Sequence, residues 1–578
     1  MSAVKALFPR LLPFLRWPRP TAGMLRRDAW AGLSVALVLI PQSLAYATLA
    51  GMPPVTGLYA ALLPAVVGIL WGASPLLAVG PVALTSLLSF ATLQSLATPG
   101  SSEWVGLAIW LALYAGAMQF LLGALRLGVI ANFVSYPVIA GFVNAAALSI
   151  MLSQLPALFG MPGAVDADAP QRLVAAWQTD PDLMAASAGL GFGALALLFV
   201  LRRLVPRLPG VLVVCAGATA ISAGLGFAAG GGDVIGMIPA GLPSLALPPP
   251  LALDQHRALL PAALIVALVS FTEAMSSCRA LKQRSGGRWD ENQELIGQGL
   301  AKIASGASGA FPVSGSFSRS ALNVFSGAVS GWSTLFTAAG VVVFLLFFTG
   351  ALYHLPRAVL GAVIVAPVLG LIDFGVFVRL WHTSRDDCIV ALVSFVATLA
   401  SVPQLHLGVL AGFLAAMVCF LYRRAHPRIV ELGLHADGTL RDRIVHALPP
   451  LAADLLAVRM DASLSYVTAP HLERFVLDRV GADNGVRTVL LCVSAVNDLD
   501  ATGVDMLRRL QRELTETGVA LRLSAVKRQL RSVLDRAGLS AELGEAALFA
   551  TDRDAIAMLA PEAARGGGPR VRPVEAGR

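Results

Sequence analysis

From Asp28 to Arg424 the sequence returns repeatedly to apolar runs of about 20 residues, the length that crosses a bilayer. Within hydrocarbon every backbone N–H and C=O must find its partner inside the protein, so such runs fold as helices packed on one another. Composition agrees: of 578 residues 56% are hydrophobic and 13% charged, whereas a soluble domain carries about 25% charge. Beyond Arg428 charges recur every few residues and no apolar run is long enough to span. A soluble domain therefore follows a polytopic membrane part.

The charges set the orientation. Residues 1–428 hold 24 Lys and Arg against 15 Asp and Glu, and the remainder 19 against 20. The basic excess thus belongs to loops beside the membrane, and nucleic acid is not an expected partner. Not one Lys or Arg lies between Asp28 and Leu125, whereas Lys5, Arg10, Arg16, Arg19, Arg26 and Arg27 precede the first span. By the positive-inside rule the N-terminus is cytoplasmic. Further basic positions fall at Arg126, at Arg202, Arg203 and Arg207, from Arg279 to Arg288, at Arg379 and Arg385, and from Arg423 to Arg428. Fourteen spans place all of them inside, together with the C-terminal domain. The expected boundaries are a cytoplasmic N-terminal segment over 1–27, a transmembrane domain over 28–424, a linker over 425–445, a soluble domain over 446–562 and a disordered Gly-, Pro- and Arg-rich tail over 563–578.

Two spans are broken. Pro75 to Phe90 and Phe311 to Ala328 are short, rich in small residues and interrupted by Gly and Pro, with Gly80-Pro81-Val82-Ala83 in one and Gly315-Ser316-Phe317-Ser318 in the other. They fall third in each set of seven spans, the pattern of an inverted repeat with a site at the membrane midplane. The start of a half-helix offers unpaired N–H groups and a positive dipole end, so two such starts would hold an anion without a lysine. Candidate donors are the amides from Val82 and Ala83 to Leu84 and those of Ser316, Phe317 and Ser318, with the Thr85 and Ser318 hydroxyls nearby. Gly80 and Gly315 would allow close backbone approach; the competing explanation is tight helix packing alone. Gln42 and Tyr46, four apart in the first span, share a helix face and could line the same pocket.

Glu273 is the acid within the apolar stretch of its span, with Ser277 one turn on. A carboxyl group in a membrane interior can carry a proton, and Glu with Ser could alternatively supply oxygen ligands to sodium. A structural ion pair with Arg319 is the competing explanation. Asp290, Glu291 and Glu294 read as solvated charges of an inner loop. No metal-ligand cluster, Walker loop or nucleophile elbow occurs, so neither an enzyme nor an ATP-driven pump is expected.

The soluble part alternates strands and helices: strands over 454–459, 487–494 and 519–523, and helices over 470–479, 503–517 and from Lys527. Thr502 lies at a helix start, where it reads either as a regulatory phosphosite or as an ordinary capping residue.

Together these motifs resemble the SulP family of sulfate-permease-type anion transporters. They are Pro41-Gln42-Ser43-Leu44-Ala45-Tyr46-Ala47, Gly80-Pro81-Val82-Ala83, Glu273 and Ser316-Phe317-Ser318-Arg319-Ser320, and the tail is similar to a STAS domain at Asp500-Ala501-Thr502-Gly503. The similarity covers about Leu25 to Leu559. It implies an α-helical polytopic protein of seven plus seven inverted spans in core and gate domains, moving elevator-fashion, with a cytoplasmic α/β STAS domain. It further implies an anion site between the third and tenth helices lined by Gln42, Tyr46, Phe317 and Ser318, positive potential from Arg319, and Glu273 at the coupling-ion position. Thr502 stands where related proteins carry a phosphorylatable Ser. The expected function is proton-coupled transport of a small anion of the sulfate type in the inner membrane, as a homodimer, with no cofactor and with a cytoplasmic regulatory partner on the STAS domain. The alternatives are sodium-coupled transport, a bicarbonate or C4-dicarboxylate substrate, uncoupled chloride/bicarbonate exchange, and, from another class, a membrane-anchored anion sensor.

Overall fold

Thr21 opens the first helix, accepting a hydrogen bond from the Met24 N–H at 3.3 Å and so satisfying one of the donors that a helix start leaves free. Helix α1 then runs over Ala22–Leu49. It begins earlier than the expected 1–27 segment allows, and Asp28 stands inside its second turn. There Asp28 is fully buried and accepts from the N–H groups of Val329 and Ser330 at 2.7 and 3.3 Å. The computed structural model describes residues 12–128, 135–161, 174–175, 177–205, 209–245, 248–285, 289–402 and 405–566. Lys5, Arg10, Arg207 and Arg288 of the basic clusters, and the tail from residue 567, lie outside the described residues.

Along the membrane part follow α2 (Val55–Trp71), β1 (Ala78–Gly80), α3 (Ala83–Leu93), α4 (Ser102–Ala124), α5 (Tyr136–Ser153), α6 (Pro181–Leu204) and α7 (Gly210–Gly224). After them come α8 (Leu253–Ser285), α9 (Glu291–Ala307), β2 (Ser314–Ser316), α10 (Phe317–Phe325), α11 (Trp332–Phe347), α12 (Arg357–Leu369), α13 (Gly375–Thr383), α14 (Arg385–Ala400) and α15 (His406–Ala425). Among the described residues six helices are long and apolar enough to cross a membrane, while α2, α3, α7, α11 and α12 are apolar but shorter. Lipid gives apolar helices no reason to leave it for one another, so close packing holds them, and small residues make that packing tight. A Cβ on Gly57 of α2 would lie 1.9 Å from the Ser43 carbonyl oxygen of α1, and one on Gly141 of α5 would lie 2.1 Å from that of Ala391 on α14.

Glu294 corrects the reading of a solvated loop charge. It lies within α9, is 1% exposed, and its Oε2 accepts from the Ala73 and Ser74 N–H groups at 2.9 and 3.1 Å. The carboxylate thus anchors the turn that leads from α2 into β1.

The second compact unit spans Met417–Arg578. It contains β3 (Ile429–Leu434), β4 (Leu440–Asp442), β5 (Leu455–Met460), α16 (Ala469–Ala482), β6 (Thr488–Cys492), α17 (Ala501–Glu516), β7 (Ala520–Ser524) and α18 (Arg528–Arg536), then α19 (Leu539–Leu543), α20 (Asp552–Leu559) and α21 (Pro561–Gly566). The strands form one sheet in the order β4-β3-β5-β6-β7, with β5, β6 and β7 parallel and β3 antiparallel to both β4 and β5. Two expectations fail here. The segment read as a linker over 425–445 contributes β3 and β4, and 563–566, read as disordered, belongs to α21. The period-2 alternation of β6 sends Leu491 to one apolar layer, with Val476, Leu507 and Leu510, and Leu490 to the other, with Val430, Phe549 and Ile556. Burial pushes the Cys492 thiol up to about 12, so it carries no thiolate at neutral pH.

Asp500 caps α17. Its Oδ1 accepts from the Gly503 N–H at 2.8 Å and its Oδ2 from the Tyr466 N–H at 2.9 Å; Thr502 beside it is exposed. Replacing Asp500 by Ala should remove about 1 to 2 kcal/mol, the usual worth of such a cap. Amide hydrogen exchange in α17 of the full chain should then quicken by a factor of about 5 to 30; unchanged exchange would show that the cap contributes nothing.

Candidate functional site

The two broken spans meet. Each interruption is a strand of three residues, and β1 and β2 pair antiparallel with Ala78 opposite Ser316, Val79 opposite Gly315 and Gly80 opposite Ser314. Main-chain hydrogen bonding in this ladder resolves the polar-backbone problem of an interrupted helix at membrane depth. From it α3 starts at Ala83 and α10 at Phe317. Side-chain bulk is excluded from the crossing: a Cβ on Gly315 would stand 2.9 Å from Leu77 Cδ2 and 3.1 Å from Ala274 Cβ.

Both helix starts open on a single cavity of about 620 Å³, lined by Val82, Ala83 and Leu84 from one and Ser316, Phe317 and Ser318 from the other. Val82 gives α3 no side-chain cap, so the first-turn N–H groups remain available to an incoming acceptor. At α10 the Ser316 hydroxyl accepts from the Arg319 N–H at 3.4 Å and lies 3.4 Å from the Ser318 hydroxyl. Tyr46, Glu273 and Ser277 also line the cavity, and Phe317 is 56% exposed within it. Convergent donors, a hydroxyl pair and aromatic rings suit a small anion.

The other expected residues stand apart from this lining. Thr85 is fully buried and its hydroxyl donates back to the Val82 carbonyl at 3.3 Å, within its own helix turn. Gly80 and Gly315 lie in the ladder, behind the cavity wall. Gln42 is 8% exposed and its Oε1 has no partner among the described residues. Arg319 is 2% exposed; its Nη1 donates to the Pro81 carbonyl at 2.8 Å, while Nε and Nη2 are unpartnered. The Arg319 side chain lines a second cavity of about 10 Å³ with Asn323, whose Oδ1 is also unpartnered. Arg319 is thus joined to the wall of the main cavity through the Pro81 turn.

No ion pair joins Glu273 to Arg319 among the described residues, and the Glu273 Oε2 is buried without a partner. Ser314 of β2 lies in hydrogen-bonding reach of the Glu273 carboxyl, and its hydroxyl donates to the Ser270 carbonyl at 2.9 Å. The Ser277 hydroxyl donates to the Glu273 backbone carbonyl at 3.1 Å. Sequence reasoning missed a wall and a charge. The wall is α5, which contributes Ile139, Phe142 and Ala146, with polar lining only at its start, at Ser135 and Tyr136. The charge is Lys302 of α9, fully buried; Glu294, Gln298 and Lys302 recur every four residues, and a polar stripe on an otherwise small-residue helix is the signal that could have found it. Among the described residues no cluster of His, Cys, Asp and Glu could hold a metal ion.

Comparison with known proteins follows the same lines. Residues 25–394 match the sulfate permease family and residues 450–555 the STAS domain. A probable sulfate transporter of Mycobacterium tuberculosis is 35% identical over 540 residues, 91% of this chain and 94% of that one. The chloroplastic sulfate transporter 4.1 of Arabidopsis thaliana is 29% identical over 94% of this chain and 82% of its own. The murine Slc26a9 anion transporter, solved in an inward-facing state, has the same fold, with a TM-score of 0.86 at 23% identity over 96% of this chain and 95% of its own.

Proposed function

This chain belongs to the sulfate permease family, and from that premise we propose that it is a proton-coupled secondary transporter of small inorganic anions, sulfate first among them. The observation that carries the reading is the ladder from Ala78–Gly80 to Ser314–Ser316, which turns two helix starts onto one cavity. Anion binding there needs no charged side chain: N–H dipoles at two helix ends supply the attraction, and Ser316 and Ser318 supply hydroxyl donors. Dehydration of the anion is offset by these preset groups. Tyr46 and Phe317 narrow the space and favour a compact ion over an extended dicarboxylate.

Glu273, in the same cavity, takes a proton from one side and releases it on the other. We read the membrane part as fourteen spans in two inverted sets of seven, in which α3 and α10 carry the site past the remaining helices in an elevator-like motion. The protein sits in the inner membrane with both termini cytoplasmic and works as a homodimer. The STAS domain receives a cytoplasmic partner, with exposed Thr502 as the modifiable position; intact-mass analysis of protein from its native cell, if it shows no phosphate increment, removes that last assignment.

Labelled sulfate uptake into proteoliposomes tests the main reading. Uptake should rise severalfold when an inward proton gradient is imposed and should be competed by unlabelled sulfate. Folded protein that takes up bicarbonate or a dicarboxylate in preference to sulfate would overturn the substrate assignment and leave the anion site standing.

A further inference from the structure

Lys302 of α9 is a fully buried lysine in the membrane unit. Helices α4 and α9 press together there: a Cβ on Gly116 would lie 2.7 Å from the Gly299 carbonyl oxygen, and one on Gly299 would lie 2.5 Å from the Phe120 nitrogen. With backbones this close the lysine cannot extend its ammonium to an interface as membrane lysines usually do. Instead its Nζ donates to Gln119 Oε1 at 2.8 Å. Gln119 in turn donates from Nε2 to the Ala267 carbonyl at 2.8 Å and to the Ser270 hydroxyl at 3.3 Å. The Ser270 carbonyl accepts from Ser314, the residue of β2 that stands by the Glu273 carboxyl. This polar chain ties the lysine to the turn of α8 that precedes Glu273. Titratable or charged groups facing Glu273 are Tyr46 of α1, Lys302 of α9 and Arg319 of α10.

We propose that Lys302 is the built-in counter-charge of Glu273 and that it excludes sodium from the coupling site. The inference rests on reading Glu273 as the coupling carboxyl. A proton-coupled carrier has to pass through a state in which its carboxylate is bare, and a bare carboxylate in a membrane interior is costly unless a cation stands beside it. Lys302 supplies that cation without leaving the protein. For sodium the same ammonium is an obstacle. A sodium site needs an uncompensated carboxylate and several free oxygen ligands, whereas Gln119 Oε1 and the Ser270 and Ala267 oxygens are already engaged in hydrogen bonds. The Ser277 hydroxyl donates within its own helix, so the Glu-Ser pair alone is too sparse a cage.

The test compares parent and Lys302→Gln in proteoliposomes, with labelled sulfate and either an inward proton gradient or an inward sodium gradient. The parent should respond to protons and ignore sodium. Lys302→Gln should lose tenfold or more of the proton-driven uptake and gain a stimulation of at least threefold by sodium. Sodium stimulation of the parent, or a variant matching the parent under both gradients, overturns the proposal; a helix-packing role alone would lower both uptakes in proportion and does so too. Should Lys302→Gln fail to accumulate, thermal stability in detergent provides the second arm. Adding Glu273→Gln should then restore a monodisperse, cooperatively melting protein, because the orphaned carboxylate is gone; no rescue overturns the pairing. A parent with no gradient-driven uptake of any anion would instead sink the transport reading, and the stability cycle would still decide whether the two charges pair.

Discussion

Vesicles carrying Glu273→Gln should accumulate no sulfate above the equilibrium level under an inward proton gradient, while sulfate-for-sulfate exchange continues within a few-fold of the parent. One pH unit is worth about 1.4 kcal/mol per proton, so a coupled carrier concentrates its anion by about tenfold per unit and per proton. The amide keeps the size and hydrogen-bonding reach of the carboxyl but cannot take up or release that proton. Its neighbours Ser314 and Ser277 are retained, and the helix starts at Val82 and Ser316 that would hold the anion are untouched. Loss of accumulation together with loss of exchange would place Glu273 in anion binding or in folding. Equal accumulation by variant and parent would remove it from coupling altogether.

Gly57→Val should be the most damaging single change to the fold. Valine or alanine in place of glycine inside a helix gains at most about 1 kcal/mol of propensity. Against this, the new Cβ would sit 1.9 Å from the Ser43 carbonyl oxygen and 2.5 Å from its carbon. Backbone cannot rotate out of the way as a side chain can, so α1 and α2 would have to part, at a cost of about 3 kcal/mol or more. The site would feel it, because Gln42 and Tyr46 flank Ser43 on α1. Expected results are a large fall in the detergent melting temperature, an aggregated elution profile and little transport. Gly23→Val is the control, since a Cβ there meets nothing within 4 Å. Indistinguishable behaviour of the two variants would refute the close-approach argument.

What could be read from the sequence was whatever lipid makes expensive. Breaking a span at Gly80-Pro81 and at Gly315 is costly in hydrocarbon, so those positions, like the mid-span Glu273, mark a candidate site in the sequence. The reason the breaks are tolerated, a ladder between residues more than two hundred apart, could not be read from either segment alone. Glu294 was misjudged because its neighbours Asp290 and Glu291 are loop-like; only tertiary structure shows two backbone donors waiting for it at Ala73 and Ser74. Lys302 escaped notice because alanine, serine and glycine around it look like ordinary packing. In the soluble unit β5, β6 and β7 followed from their apolar runs, whereas β3 and β4 did not: Glu431, Arg441 and Arg443 give them the charge of a connector, although Glu431 is held by Arg443 and Arg479.

The ladder between β1 and β2 is made of main chain. Its hydrogen bonds take no account of which side chains flank it, so the joint that aligns α3 and α10 survives exchanges at neighbouring positions such as Val82, Ala83, Phe317 and Ser318. Architecture and selectivity are thereby separable to natural selection. If the proposed site is the transport site, substitutions in its lining should change which ion it admits while the main-chain frame that aligns the two helix starts stays in place.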